Sequence, residues 1–289
     1  AWALSSDGAV LAEARSDQGL KAVPDRRFEA VVRANCGGWM ASDRIPVVLS
    51  GMVGSRTGWV EADYVPCPAD LAGLSSGATR FAIDGHPAAI LPGVCCRNPE
   101  GHADVMRGEE VQILGAGRLT AIGDALVCIP GTHSKWARLE GGALTGFRTF
   151  ITGELYELLR RRSLVGALAE GDGFDPAAFG QGVDYGTRAP LAHAVFSARA
   201  DVLTGGMAAA AVSSYLSGLL IGAELAGRPE AGGAEVVLLA AGVLAERYRA
   251  AFEVVGLPFR PIDAEAATIG GLALAARELW PALAQGLAG

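Results

Sequence analysis

Three times along this chain a short apolar run gives way at once to a glycine-bearing loop. Ile45–Leu49 runs into Ser50-Gly51-Met52-Val53-Gly54-Ser55, Ala125–Ile129 into Pro130-Gly131-Thr132-His133-Ser134-Lys135, and Val236–Ala240 into Ala241-Gly242. Unbroken runs of that length suit strands buried on both faces of a parallel sheet, and the loops leaving such strands are where α/β folds place their sites. Composition agrees: 51% of the residues are hydrophobic and 19% charged, and 40 glycines with 14 prolines follow no collagen period. A loop-rich α/β chain results, its 289 residues sufficing for two domains or one large one.

Other segments fill in the order. Ala1–Leu4, the turn Ser5-Ser6-Asp7-Gly8 and Ala9–Ala14 read as a hairpin, because Asp-Gly supplies the positive φ of its turn. Pro24 and Asp25 open a helix carrying Phe28, Val31 and Val32 on one face, stopped near Gly37-Gly38. Pro66 to Pro92 reads as loops and short strands. Helices are expected over Val105–Leu119 behind Asp104, over 151–168, from near Met207 to 227, over Val243–Val254 and over Glu265–Leu279. The glycine-rich stretch Asp172–Pro190 reads as a link.

Several function classes drop out. The net charge of −7, with 24 Lys and Arg dispersed, does not make a nucleic-acid footprint. Five cysteines without a C-x-x-C give neither a disulfide framework nor a zinc site, so reduced cytoplasmic thiols are expected. Nothing at the start resembles a signal peptide. Val202–Ala223 is uncharged, but Ser213, Ser214, Ser217, Thr204, Tyr215 and four glycines lie in it and Glu224 follows, which favours a buried helix over a membrane span. His86, His102 and His193 form no close pair, and no G-x-S-x-G elbow is present.

Four segments carry chemistry, each with a plainer alternative. Gly131 to Lys135 offers backbone N–H groups, two hydroxyls, an imidazole and an ammonium, which suits phosphate, or it is a polar turn between strands. Asp104 could take a proton from a hydroxyl and Arg107 could hold a carboxylate, or Asp104 caps a helix whose dipole Glu109 and Glu110 complement. The Met52–Ser55 loop with Trp59 suits a sugar, or is a surface Ω-loop. Ala241-Gly242 could press backbone against an adenosine, or is an ordinary strand-to-helix turn.

Taken together, Ser50–Ser55 with Trp59, Val105-Met106-Arg107-Gly108-Glu109-Glu110, Pro130–Trp136, Thr152-Gly153-Glu154-Leu155 and Leu216–Glu224 closely resemble the 2-keto-3-deoxygalactonate kinases. That resemblance implies two similar ribonuclease-H-like α/β domains with an inter-domain cleft, the actin-like ATPase fold. It implies domains at 1–124 and 125–264, the final helix, 265–289, packing back on the first. Expected with it are ATP, Mg²⁺, and phosphorylation of the sugar acid at its terminal hydroxyl to the 6-phosphate, in the cytoplasm, with no membrane or nucleic-acid partner and with a homodimer left open. By position, Gly131, Thr132, His133, Ser134 and Lys135 match the second phosphate loop and Ala241-Gly242 the adenosine segment. Ala267–Gly271 matches an inter-domain connector, and Met52, Ser55, Arg107 and Glu109 fall on the sugar-acid side. Asp104 is the general base by analogy with related sugar kinases. The family opens on a strand carrying an Asp-x-Gly-Thr/Ser-Thr phosphate loop, and Ala1 matches a position after it. A strand from preceding residues, a neighbouring strand or a second chain is expected between Ala1–Leu4 and Ile45–Leu49. The alternatives are a kinase for another sugar or sugar acid, and a truncated sugar-acid-binding module without catalysis.

Overall fold

The computed structural model describes residues 1–41, 44–120 and 122–282. The chain divides into two compact units. The first takes Ala1–Asp124, Arg138–Phe147 and Ala264–Gly289, and the second Ala125–Ala137 and Arg148–Asp263.

The first unit opens with β1 (Trp2–Leu4) and β2 (Val10–Glu13), an antiparallel hairpin turned through Gly8 at φ 90°. α1 (Phe28–Cys36) follows, starting later than the sequence suggests because Asp25 and Arg26 take positive φ and set Pro24–Arg26 apart as a separate 3-10 turn. Then come β3 (Val47–Leu49), β4 (Tyr64–Pro66), α2 (Leu71–Ser76), β5 (Thr79–Ile83), β6 (His86–Ile90), β7 (Gly93–Arg97), β8 (Ala103–Met106) and α3 (Glu109–Leu119). These strands make one sheet of order β3-β6-β5, with β3 and β6 parallel, and another of order β4-β7-β8. Ala89, Leu91, Val111, Ala275 and Leu279 form the buried cluster where the β6 end, α3 and the last helix meet.

The second unit is built on a five-stranded sheet of order β11-β10-β9-β12-β13, of which the segment Arg138–Phe147 in β10 and β11 counts with the first unit. β9 (Ala125–Ile129), β10 (Ser134–Glu140) and β11 (Ala143–Phe150) lead to α4 (Thr152–Arg162), α5 (Pro176–Arg188), α6 (Leu191–Ala194), α7 (Ser197–Leu203) and α8 (Val212–Gly227). β12 (Glu235–Leu239), α9 (Gly242–Val254) and β13 (Arg260–Ile262) close the unit, and α10 (Ala264–Leu279) returns to the first. β12 runs parallel to both β9 and β13, so Pro130, Ala240 and Asp263 leave the sheet at the same edge. The part of the expected final helix beyond residue 282 lies outside the described residues.

The glycine-rich stretch 172–190 is a helix rather than a link. Asp175 caps it by accepting the Ala177 and Ala178 N–H groups, and Pro176 sits at its first position. Its glycines are contact points: a Cβ on Gly182 would lie 2.1 Å from the Tyr215 carbonyl oxygen and one on Gly186 2.1 Å from that of Leu219. Gly218 and Gly222 of α8 return the relation, 2.1 Å and 2.3 Å from the Phe179 and Val183 carbonyl oxygens. Four bare backbone patches at helical spacing let α5 and α8 touch main chain to main chain. α8 starts after a short 3-10 turn, Ala209–Ala211, a few residues beyond the expected Met207. Ala209–Gly227 is long and apolar enough to cross a membrane, with 72% of its apolar window buried, and it serves here as a core helix.

Candidate active site

The residues singled out from the sequence fall into two groups, one in each unit.

In the first unit the Met52–Gly54 turn and the Arg107-Gly108 bend are packed together. A Cβ on Gly108 (φ 113°) would come 3.2 Å from the Gly51 Cα, and one on Gly54 3.1 Å from Arg107 Nη1. The positive φ at Gly108 favours glycine, and a Cβ on Gly54 would also come 2.6 Å from Ile90 Cγ2. Arg107 donates through Nη2 to the Ala62 carbonyl at 2.7 Å and lies over the Tyr64 ring, 4.3 Å from its centroid. Its Nε and Nη1 are buried with no hydrogen-bond partner among the described residues. Nε and Nη1 point to different sides of the guanidinium, so each offers an unmet charged donor to a separate acceptor, and an anionic oxygen suits either one. Glu109 accepts the Arg107 N–H at 3.1 Å, and Glu110, wholly buried, accepts the Gly108 N–H through both oxygens, at 2.7 and 2.9 Å. Burial pushes the Glu110 carboxyl up to about 7, the backbone N–H bonds acting against it. Met52 is 53% exposed and, with Trp59 and Phe28, lines an apolar cavity of about 300 Å³. Ser55 lies 3.3 Å from the Thr57 hydroxyl.

One expectation for this unit needs correction. Asp104 does not precede a helix: it lies in β8, paired antiparallel with Cys96 of β7, and α3 begins at Glu109 after Gly108. The pairing, which is invisible in the local sequence, claims Ala103–Met106 for the sheet, and the positive φ at Gly108 ends it. Helix capping by Asp104 fails with it, since its Oδ1 accepts the N–H of adjacent Val105. Trp59, half-buried, is held by two aromatic neighbours. It stacks on Phe28 at 6.2 Å and meets Phe81 edge-on at 5.2 Å.

In the second unit the loop between β9 and β10 is shorter than its polar sequence suggests. β10 starts at Ser134, so only Pro130–His133 form the turn, with Thr132 and His133 exposed and Ser134 and Lys135 buried in the strand. What buries these polar side chains is distant in sequence. Ser134 Oγ lies 2.9 Å from the Tyr248 hydroxyl, Lys135 Nζ donates to Thr149 Oγ1 at 2.9 Å, and the Trp136 indole N–H donates to Glu224 at 2.8 Å. The start of α4 holds the turn from the other side. The Glu154 N–H donates to the Thr132 carbonyl at 3.0 Å, its carboxylate pairs with His133, and a Cβ on Gly153 would lie 2.5 Å from the Gly131 carbonyl oxygen. At the same sheet edge Ala241 and Gly242 are exposed, and a Cβ on Gly242 (φ 58°) would meet nothing within 4 Å. The backbone there is bare, ahead of exposed Val243 and Leu244.

The signature blocks thus sit on turns, strand ends and helix starts in both units, with Leu216–Glu224 inside α8. A family model described as 2-keto-3-deoxy-galactonokinase matches residues 1–275. This chain belongs to that family. The curated relatives agree. "Probable 2-dehydro-3-deoxygalactonokinase DgoK1" of Rhizobium meliloti (strain 1021) is 41% identical over 287 residues, covering 97% of this chain and 94% of the relative. The 2-dehydro-3-deoxygalactonokinase of Escherichia coli (strain K12) is 34% identical over 275 residues, covering 94% and 91%. A crystal structure of a protein of the same family from Sinorhizobium meliloti superimposes with a TM-score of 0.88 at 41% identity, over 97% of this chain and 93% of that one. The mixed α/β fold with several sheets is therefore that of a sugar-acid kinase family, and ATP is the phosphate donor such a kinase implies. Within the family's Leu216–Glu224 block, sequence reading passed over Glu224. A carboxylate ending an uncharged apolar helix was the available signal, because such a group stays buried only where donors meet it.

Proposed function

We propose that this protein transfers the terminal phosphoryl group of ATP to the terminal hydroxyl of 2-keto-3-deoxygalactonate, giving the 6-phosphate. The observation that carries the choice of a sugar acid over a neutral sugar is Arg107, whose buried Nε and Nη1 lack acceptors beside the small-residue Met52–Gly54 turn. A carboxylate meets one of these donors with an opposite charge, which a neutral hydroxyl does not. Glu109 holds the Arg107 backbone, and Met52 and Ser55 border the sugar acid.

In this reading the Gly131, Thr132 and His133 turn receives the phosphates, through backbone N–H groups at the bare Gly131 and the exposed Thr132 and His133. Ser134 and Lys135 act from behind it, inside β10. Ala241 and Gly242 lie against the adenosine. Asp104, half-buried in β8 three residues before Arg107, takes the proton from the acceptor hydroxyl as the bond to phosphorus forms. The two units act as the two domains of an actin-type kinase, 1–124 and 125–264 with the last helix returning to the first. Closing over the substrates keeps water from the γ-phosphate, and the reaction belongs in the cytoplasm, where ATP is.

Mg²⁺ supplies charge neutralisation when it arrives on the nucleotide. It keeps several waters and needs only one or two carboxylates beyond the phosphates. The described residues contain no cluster of three or more His, Cys, Asp or Glu that could hold a metal, so no ligand is assigned to it.

A coupled assay of ADP release against a panel of keto-deoxy sugar acids and their neutral sugar counterparts tests the reading. 2-Keto-3-deoxygalactonate should give the highest kcat/KM, with phosphorus on the terminal oxygen by mass spectrometry. Equal turnover of neutral sugars would remove the role given to Arg107.

A further inference from the structure

Glu224 of α8 is 2% exposed and lies far along the chain from the turn at Gly131. Its Oε1 accepts the Trp136 indole N–H at 2.8 Å, and its Oε2 accepts the Tyr248 hydroxyl at 2.7 Å and the Thr152 hydroxyl. Because Tyr248 gives its proton to Glu224, its oxygen is left to accept from Ser134, 2.9 Å away. The Ser134 proton is thereby turned inward and is not offered to a phosphate.

The two residues tied to this carboxylate flank the turn. Ser134 follows His133 directly, and Thr152 opens α4, whose Glu154 N–H holds the Thr132 carbonyl and whose Gly153 lies against Gly131. One buried group therefore fixes where β10 begins and where α4 begins, and the turn hangs between them. Building on the reading of Gly131–His133 as the phosphate loop, we propose that Glu224 is a positioning residue that holds that loop in its nucleotide-binding arrangement through Ser134–Tyr248 and Thr152.

The chemistry of the site favours a geometric role over a stabilising one. Burial pushes the Glu224 carboxyl up from its ordinary value, with the Thr152, Tyr248 and Trp136 bonds opposing, so the group is costly to keep ionised. A buried ionic or polar cluster is often no more stable than apolar side chains of the same volume. What apolar side chains cannot do is fix three hydroxyl and indole donors in direction.

The test compares Glu224→Gln and Tyr248→Phe with Phe179→Leu, a change in the same buried core as Trp136 and Tyr248 that removes none of the hydrogen bonds to Glu224. Isothermal titration with ADP and steady-state KM for ATP and for the sugar acid are measured beside melting temperature. Glu224→Gln should raise the ADP Kd and the ATP KM about tenfold, the scale of one lost charge-assisted hydrogen bond. The sugar-acid KM should stay within about twofold, a margin inside the scatter of single contacts. Tyr248→Phe should act in the same direction and add less than its separate effect in the double variant. Phe179→Leu should lower the melting temperature and leave both KM values alone. Tyr248→Phe keeps the ring against Phe252, 6.2 Å centroid to centroid, and so carries the test if Glu224→Gln does not fold. Unchanged ADP affinity and ATP KM in variants that melt earlier would overturn the proposal and return Glu224 to the core. Failure of the unaltered protein to bind ADP would overturn the phosphate-loop reading itself, before any variant is compared.

Discussion

Replacing Arg107 by methionine separates holding a ligand from holding the fold, because the two effects have different sizes and the structure supplies both. Among the described residues the guanidinium makes one hydrogen bond, to Ala62, worth about 1.5–3 kcal/mol for a charged donor, and one cation–π contact with Tyr64, worth about 0.5–2 kcal/mol. Against these stand two buried donors, Nε and Nη1, each costing about 1–3 kcal/mol while unmet. Gains and losses are of the same order, so Arg107→Met should shift folding stability by no more than about 2 kcal/mol in either direction. Binding has no such compensation. Losing the charged partner of a desolvated carboxylate costs about 2–5 kcal/mol, a rise in sugar-acid KM of roughly thirtyfold to several thousandfold, with the ATP KM little moved. Urea unfolding followed by tryptophan fluorescence reads the first quantity and initial rates over both substrates read the second. A variant that loses much stability while its sugar-acid KM is unchanged would show that Arg107 is a structural residue whose donors were never meant for a ligand.

Three further outcomes are expected. Asp104→Asn should lower kcat by about 10²- to 10⁴-fold with little change in either KM, and near-normal turnover would remove Asp104 as the base. Gly218→Ala places a Cβ 2.1 Å from the Phe179 carbonyl oxygen and should cost at least about 1–3 kcal/mol in urea unfolding, because main chain is in the way and no flexible side chain can yield. Glu110, raised to about 7 in the fold, binds a proton there that the unfolded chain releases near its ordinary value of 4.5. Its contribution to stability is whole below about 4.5 and is lost as the pH rises through about 7, so urea midpoints should fall across that window and Glu110→Gln should flatten the fall.

The strands running into glycine loops were legible because their signal is local. β9 and β12 are apolar throughout, and Gly131 and Gly242 mark where they end. The hairpin at Asp7-Gly8 is legible for the same reason. Errors arose where a distant partner decides the outcome. Asp104 followed by Val105 and Met106 has the look of a capped helix, and only pairing with Cys95 and Cys96 makes it a strand. Ser134 and Lys135 look like loop residues until Tyr248 and Thr149 supply their hydrogen bonds. Gly182 and Gly186 look like linker glycines until α8 presents Gly218 and Gly222 at the same spacing. The candidate site followed the same division: its glycines and Arg107 stand out in sequence, whereas the carboxylate behind the phosphate turn does not.

The central claim is that one group of residues in each unit takes one of the two substrates. Hydrogen exchange read by mass spectrometry tests it residue by residue, with ADP alone and with 2-keto-3-deoxygalactonate alone. ADP should slow exchange at 131–135 and 241–244 and leave 52–55 and 104–109 unprotected, and the sugar acid should do the reverse. Protection of 104–109 by ADP, or of 131–135 by the sugar acid, would contradict the assignment of the two groups.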